Sequence, residues 1–212
     1  MATLSQAIVE RELPPEWPLR EERLAGLFGV SRTPIREALA GLANSGLARR
    51  DDRGSLRVGS ITPEQILDVY AVRKCLEGLS ASLAAETATP RAITHLQHLQ
   101  RACRHAHETG DVDGLAAANS DFHRAVAQSS GNEFLVRFIA DVENWVKRFP
   151  TTTLSYPGRS ETALQEHEDI IAAIQARDPA LAEQLARHHM GTAETLRMEM
   201  LFGDTPSRPD LG

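Results

Sequence analysis

Four polar side chains, spread over three predicted helices, have the types and the spacing of a metal site. Asn119 and His123 are four residues apart, so the predicted helix 111–129 places an amide and an imidazole side by side on its apolar stripe. His167 and His189 lie on the apolar stripes of two later helices. Buried polar groups need partners, and one divalent cation would satisfy all four if the helices converge.

A charged pair interrupts the apolar stripe of the predicted helix from Pro63 to about Thr87. Arg73 falls near the centre of this stripe, and Glu77 follows one turn later. A charge in that position is costly unless it is paired. Two interpretations are equally open: an Arg73–Glu77 ion pair at an interface, or a cavity in which Arg73 receives an anionic ligand.

Arginines are concentrated in residues 31–57, which hold six of them against three acidic residues. Arg32 and Arg36 fall at the exposed start of a predicted helix, where a guanidinium can bond to guanine or to phosphate. The hydroxyls of Ser31 and Thr33, with the first-turn amides, can hold a phosphate. The remaining candidates for DNA contact lie in a predicted hairpin, at Arg50, Arg53 and Gly54. This pattern predicts a surface that reads DNA.

The formal net charge of −6 does not exclude a nucleic-acid partner. Residues 1–60 carry nine arginines and eight acidic residues, a net of +1, whereas residues 61–212 have a net of −7. The acidity therefore belongs to a different part of the chain from the basic cluster.

The elements that must position these side chains form two groups. Residues 1–60 predict short helices followed by a hairpin, which is the order of a winged helix-turn-helix. From Thr62-Pro63 onward, start signals such as Thr89-Pro90 and Asp178-Pro179 divide the chain into about six longer helices. We predict a mainly α fold with a DNA-binding domain at 1–60, an all-helical bundle at 61–203 and a disordered tail at 204–212.

The sequence has no run of about 18 apolar residues and no basic-then-apolar leader, so we expect no membrane partner and a cytoplasmic location. Its two cysteines, Cys75 and Cys103, are too few for a disulfide framework. Because both fall in helical patterns, we expect them to be reduced core residues.

The run from Val30 to Leu39, with Leu24-Ala25, Gly46-Leu47 and Arg53-Gly54, resembles the DNA-binding domain of GntR-family bacterial transcription regulators. The resemblance implies that the residues matching Arg32, Thr33 and Arg36 contact operator DNA. It also implies that Gly54 lies at the tip of the wing.

The rest of the chain resembles the FCD effector-binding domain of the FadR-like GntR subfamily. The matching features are Arg73 with Glu77, Asn119 with Phe122-His123, the run 166–174 and His189-Met190. The resemblance implies an all-helical bundle that holds Zn²⁺, Ni²⁺ or Mn²⁺ through Asn119, His123, His167 and His189. The first ligand position is often Asp in the family. The neutral Asn119 is a weaker ligand, but it leaves the site more positive and favours an anionic effector.

These features together predict a transcriptional repressor controlled by a small organic acid. One short recognition helix contacts few base pairs, so we expect a homodimer on a palindromic operator in double-stranded DNA. An acid that bridges the metal and Arg73 would reorder the bundle and change the spacing of the two winged-helix modules.

Two alternatives remain at this point. The three histidines could serve a metal-dependent hydrolase or lyase, which needs a carboxylate base beside the metal. We expect Glu166 and Glu168, which flank His167, to point elsewhere, and this disfavours the enzyme. In the other alternative, the regulator holds no metal and its histidines bind the carboxylate directly.

Overall fold

The computed structural model describes residues 2–9, 12–44, 46–147, 149 and 151–203. Within these residues the chain is mainly helical, with a single two-stranded antiparallel sheet. The chain divides into two compact units, the first comprising Met1–Thr62 and Lys147–Pro150 and the second Pro63–Val146 and Thr151–Gly212. The predicted fold class is therefore confirmed. The tail predicted at 204–212 lies outside the described residues.

The first unit contains a helix-turn-helix and a hairpin. Its elements are α1 (Ala2–Val9), α2 (Glu21–Phe28), α3 (Arg32–Asn44), β1 (Ala48–Arg50) and β2 (Leu56–Val58). Gly29 ends α2 with a positive φ of 64°, a conformation that a side chain disfavours, and α3 starts three residues later. In the hairpin, Ala48 pairs with Val58 and Arg50 with Leu56.

Burial in this unit follows the helical period. Ile35, Leu39 and Leu42 of α3 are buried, together with Leu24 of α2 and Val58 of the wing. Ala38 is also buried, whereas Arg36, Glu37 and Ala40 between these residues are exposed. The apolar face thus fixes the orientation of α3 and leaves the start of the helix facing solvent.

The second unit consists of helices. They are α4 (Pro63–Thr87), α5 (Pro90–Glu108), α6 (Val112–Ser129), α7 (Glu133–Val146), a 3₁₀ turn (Thr153–Ser155), α8 (Arg159–Gln175) and α9 (Pro179–Phe202). The predicted helix starts are confirmed: Thr89 accepts a hydrogen bond from the Ala92 amide, and Asp178 accepts one from the Leu181 amide. These caps satisfy amides that have no partner inside the helix.

Helix α4 packs chiefly against α9, and both α6 and α8 also contact α4. Alanines 81, 84 and 85 are buried in the core that these helices share, and their small side chains allow close packing.

Cys103 is buried as expected, but Cys75 is exposed, so the prediction for Cys75 is wrong. Among the described residues, no helix combines the length and the apolar composition needed to cross a bilayer.

Candidate metal centre and DNA-reading surface

Three histidines from three helices meet inside the second unit. His123 lies on α6, His167 on α8 and His189 on α9, and all three are buried. One ring nitrogen from each lies within 4.8 Å of the others. Helix α4 contacts α6, α8 and α9, and α8 contacts α9, so this packing brings the inward faces together, which the spacing in the sequence could not establish.

Each histidine has its Nδ1 atom beside an oxygen acceptor. His123 Nδ1 lies 3.3 Å from Glu77 Oε2, His167 Nδ1 lies 3.2 Å from Gln100 Oε1, and His189 Nδ1 lies 2.5 Å from Glu166 Oε2. The Gln100 amide is oriented by its nitrogen, which donates to the Leu164 carbonyl. Carboxylate and amide oxygens only accept, so each contact places the imidazole proton on Nδ1 and the lone pair on Nε2.

Arg159 offers a competing contact to His189. Its Nη2 atom lies 3.1 Å from His189 Nδ1, which would require that nitrogen to accept. The contact with Glu166 is shorter, and Arg159 Nη1 lies 2.7 Å from the same Glu166 oxygen. We therefore assign the proton to His189 Nδ1, donating to a carboxylate that Arg159 holds in place.

When the three rings are neutral, their Nε2 atoms have no hydrogen-bond donor opposite them among the described residues. His189 Nε2 lies 3.3 Å from His123 Nε2, so two lone pairs then face each other. His167 Nε2 is buried and has no hydrogen-bond partner among the described residues. In a tetrahedral zinc site with Zn–N bonds of about 2.0–2.1 Å, ligand nitrogens are about 3.3–3.4 Å apart. The spacing of the His123 and His189 nitrogens therefore fits two ligands of one divalent ion.

The electrostatics favour neutral His167 and His189 and an ionised Glu77. Burial lowers the pKa of His167 and His189 well below the usual range, and neighbouring positive groups, including Arg159, lower it further. Burial alone would raise the pKa of Glu77, but the charge and hydrogen bond of His123 and the charge of Arg73 bring it to about 2. Neutral imidazoles are the form that binds metals.

The two remaining predicted residues of this unit are Asn119 and Arg73. Asn119 is one turn before His123 on α6 and is partly buried. Arg73 Nη2 lies 3.5 Å from Glu77 Oε1, and its guanidinium carbon lies 5.3 Å from the centre of the Tyr70 ring. The Arg73–Glu77 ion pair that the spacing allowed is therefore present. A small cavity borders His123 and His189, and its wall includes Glu77.

The outer partners of the histidines were not predicted from the sequence. Glu166 was expected to point away from the site, and this is wrong, because its long side chain reaches His189 on the adjacent helix α9. Arg159 is seven residues before Glu166 on α8, a spacing that returns to the same helix face and could have identified the pair. Gln100 of α5 carried no such signal.

The predicted DNA contacts lie on the solvent side of the first unit. Arg32, Thr33 and Arg36 are exposed at the start of α3, and Ser31 is exposed just before it. Arg50, Arg53 and Gly54 are exposed in the hairpin. Gly54 has a positive φ of 77°, which a turn at the wing tip requires.

Acidic side chains of the same unit contact four of the six arginines in residues 31–57. Arg36 donates two hydrogen bonds to Glu21, with Nε–Oε1 at 3.2 Å and Nη2–Oε2 at 3.1 Å. Arg32 pairs with Glu22. In the hairpin, Arg49 pairs with Glu16 at 2.7 Å and Arg57 with Asp51 at 2.6 Å. We call the six arginines at 32, 36, 49, 50, 53 and 57 the reading surface.

A helix-turn-helix followed by a two-stranded wing, with arginines at the start of the third helix, defines a winged-helix DNA-binding protein. In this protein it is joined in one chain to an all-helical unit with a histidine centre. The chain belongs to the gntR family of bacterial regulatory proteins, whose family model matches residues 1–58, and the model of the FCD domain matches residues 68–192. It is therefore a DNA-binding transcriptional regulator and not an enzyme.

The chain matches named regulators over most of their length. The chain is 31% identical over 186 residues to the "Probable D-xylose utilization operon transcriptional repressor" of Paenarthrobacter nicotinovorans, covering 86% of this chain and 80% of that protein. It is 29% identical over 188 residues to the transcriptional repressor RspR of Escherichia coli K12, covering 88% and 82%. The structure of E. coli McbR/YncC shares the fold, with a TM-score of 0.70, 24% identity and coverage of 94% and 95%.

Proposed function

We propose that this regulator is a repressor whose operator binding is controlled by a small carboxylate effector acting at a divalent metal site. The metal ligands in this proposal are His123, His167 and His189, with Asn119 as the fourth. A bound metal would supply a positive centre for an anion. Two relatives named as repressors support the direction of control.

The observation that carries the proposal is the arrangement of the histidine nitrogens. All three Nδ1 atoms face oxygen acceptors, while the Nε2 atoms of His123 and His189 face each other at 3.3 Å. With neutral imidazoles and no cation, this arrangement leaves lone pairs opposed in a buried site, which is costly. Outer partners that fix the tautomer and the ring orientation are typical of histidine ligands in metal sites.

The charges around the centre favour an anionic effector. Arg73 has a side-chain exposure of 11% and Arg159 one of 1%, so both guanidinium groups are largely withdrawn from water. Glu77 and Glu166 balance these two charges. A divalent ion held by neutral ligands would leave an excess of positive charge, which a carboxylate would offset.

Glu77 provides a route from the metal site toward the DNA-binding unit. One of its oxygens contacts Arg73 and the other contacts His123, so an effector that moves Arg73 changes the support of a metal ligand. Both Arg73 and Glu77 lie on α4, which residues 59–62 join to β2 of the wing. The effector acts in this proposal by favouring one position of α4 over another.

The regulator acts as a homodimer in the cytoplasm, where the operator DNA is. The recognition helix α3 has 13 residues, and one such helix reads a single half-site. Two-fold symmetry then matches a palindromic operator. A solution mass of twice that of the chain, measured by light scattering, is the expected result.

Metal analysis of protein purified without chelators tests the proposal. Wild type is expected to retain about one divalent ion per chain, and a His123→Ala, His167→Ala variant none. A His95→Ala, His98→Ala variant is the matched control, because both residues are exposed on α5. Equal metal content in all three proteins would reject the metal site and leave direct binding of the carboxylate by the histidines.

Effector control is tested separately by thermal shift. Small organic acids are added to the metal-loaded protein and to protein treated with EDTA, since a ligand that binds the native state raises its melting temperature. Stabilisation that requires metal supports the bridging role. Stabilisation that is unchanged by EDTA contradicts it.

A further inference from the structure

The acidic partners of the reading surface lie where they affect DNA recognition directly. Glu21 and Glu22 occupy the first turn of α2, and their carboxylates contact Arg36 and Arg32 at the start of α3. These two arginines are the ones with which a recognition helix reaches base edges. The acids are therefore beside the groups that would meet DNA.

Fold stability does not account for these contacts. Acidic residues in a first helical turn interact favourably with the helix dipole, but that interaction does not require them to reach α3. The side chains of Arg32 and Glu22 are 60% and 75% exposed, and those of Arg36 and Glu21 are 69% and 37% exposed. Ion pairs with this exposure contribute little to stability because water screens them.

The geometry of the Arg36 contact has a consequence for base recognition. Glu21 binds the edge of the guanidinium formed by Nε and Nη2. This fixes the plane of the group and leaves its adjacent edge, formed by Nη1 and Nη2, available to another acceptor. A guanidinium edge with two donors is what guanine O6 and N7 accept. The carboxylate thus orients the fork before DNA is bound.

The charge of the acids has a second consequence. Binding to phosphates without regard to sequence depends on the number of positive charges presented to the backbone. Glu16, Glu21, Glu22 and Asp51 each pair with one arginine of the reading surface, which lowers the charge that a phosphate meets. A base edge that accepts two hydrogen bonds can still compete, because it recognises the fork and not only the charge.

We infer that Glu21 and Glu22 are specificity-determining residues, which suppress binding to random DNA and orient Arg36 and Arg32 toward the correct bases. This inference rests on the DNA-binding activity of the family and is independent of the metal and the effector. The role is one of positioning and charge compensation, since neither acid is required to contact DNA.

The inference is tested by DNA binding of the whole chain to two duplexes. One duplex is obtained by selection from a random-sequence library, and the other is a scrambled version of the same composition. Dissociation constants are measured by fluorescence anisotropy at about 50 mM and about 200 mM salt. The Glu21→Gln, Glu22→Gln variant is expected to bind the scrambled duplex about tenfold more tightly than wild type. Its affinity for the selected duplex should change by no more than about threefold, so specificity falls.

Two further variants separate charge from orientation. Glu12→Gln removes one negative charge, half the change in the double variant, at an exposed residue outside these ion pairs, and it should leave the ratio of the two affinities as in wild type. Glu21→Asp keeps the charge but shortens the side chain that holds Arg36. It is expected to weaken binding to the selected duplex by about threefold without tightening binding to the scrambled one.

An unchanged ratio in the double variant, with a melting temperature equal to that of wild type, overturns the inference. A Glu12→Gln effect of half that of the double variant, on a free-energy scale, also overturns it, because net charge alone would then explain the result.

Discussion

A guanidinium beside a carboxylate occurs in two very different settings in this protein. In the histidine centre, the side chains of Arg159 and Glu166 are 1% and 18% exposed. On the reading surface, those of Arg36 and Glu21 are 69% and 37% exposed. The chemical groups are the same, but burial changes what each pair can do.

The buried pair cannot exchange its partners for water without a large cost, so it behaves as a fixed part of the site. The exposed pair is screened and can be replaced by another acceptor at little cost, which suits a side chain that we propose turns to DNA. The buried pair thus suits a centre that would hold a metal, and the exposed pair suits a surface proposed to contact bases.

The largest expected effect is that of Arg159→Met. Removing this guanidinium leaves Glu166 with His189 as its remaining partner in a largely buried site, and breaking such a pair costs about 3 kcal/mol. We expect the free energy of unfolding, measured with urea, to fall by that amount.

Arg104→Met is the matched control for this substitution. Arg104 of α5 pairs with Glu168, which lies on α8 like Glu166, but the two side chains are 46% and 40% exposed. Its loss should cost less than about 1 kcal/mol. Equal losses for the two variants would mean that burial does not distinguish the pairs.

The next effect is that of Glu77→Gln on metal affinity. The amide still has an oxygen that can accept from His123 Nδ1, but it lacks the charge that supports the imidazole. Loss of an outer partner of this kind weakens metal binding by about tenfold or more. Competition with a fluorescent zinc chelator measures the change.

Glu86→Gln serves as the control, because Glu86 is exposed on the same helix. Zinc binding by Glu77→Gln equal to that of wild type would contradict the role of Glu77. Absence of zinc binding in wild type would instead contradict the metal site itself. The two failures are therefore distinguishable.

Periodicity could predict the inward faces of the helices, but not which groups meet across them. His123, His167 and His189 lie on apolar stripes, and their burial agrees with that position. The same pattern did not predict the contact of Gln100 with His167, which is 67 residues away in sequence. Partners of this kind depend on the packing of whole helices, which no local pattern encodes.

Long polar side chains explain the other failures. Glu166 is adjacent to His167 and therefore leaves the helix in a different direction, yet it is long enough to reach α9. The exposed arginines of α3 were correctly placed on the solvent side, but their acidic partners on α2 are 10 and 15 residues away in sequence. A charge count over residues 31–57 could not include them.

The smallest expected effect belongs to the wing, where burial is intermediate. The side chains of Arg57 and Asp51 are 35% and 17% exposed, and Asp51 also accepts from the amides of Arg53 and Ser55. The hydrogen bond from Arg57 holds the pKa of Asp51 below its usual value, although partial burial opposes this. The contact therefore stabilises the wing above the unfolded pKa of the carboxyl, and the stabilisation is lost as pH falls through the folded value.

Asp51→Asn removes this charge while keeping one oxygen acceptor. We expect the Ser55 amide to exchange with solvent about threefold faster at neutral pH, because the tip of the wing opens more often. The difference in exchange rate between the variant and wild type should vanish in acid, once Asp51 of wild type is protonated. Asp52→Asn changes the same charge at the neighbouring exposed position and should leave the exchange rate unaltered. Equal exchange rates in the two variants would mean that the Arg57–Asp51 pair stabilises the wing no more than the exposed pairs stabilise α3. The wing would then not be intermediate between the buried and the exposed pairs.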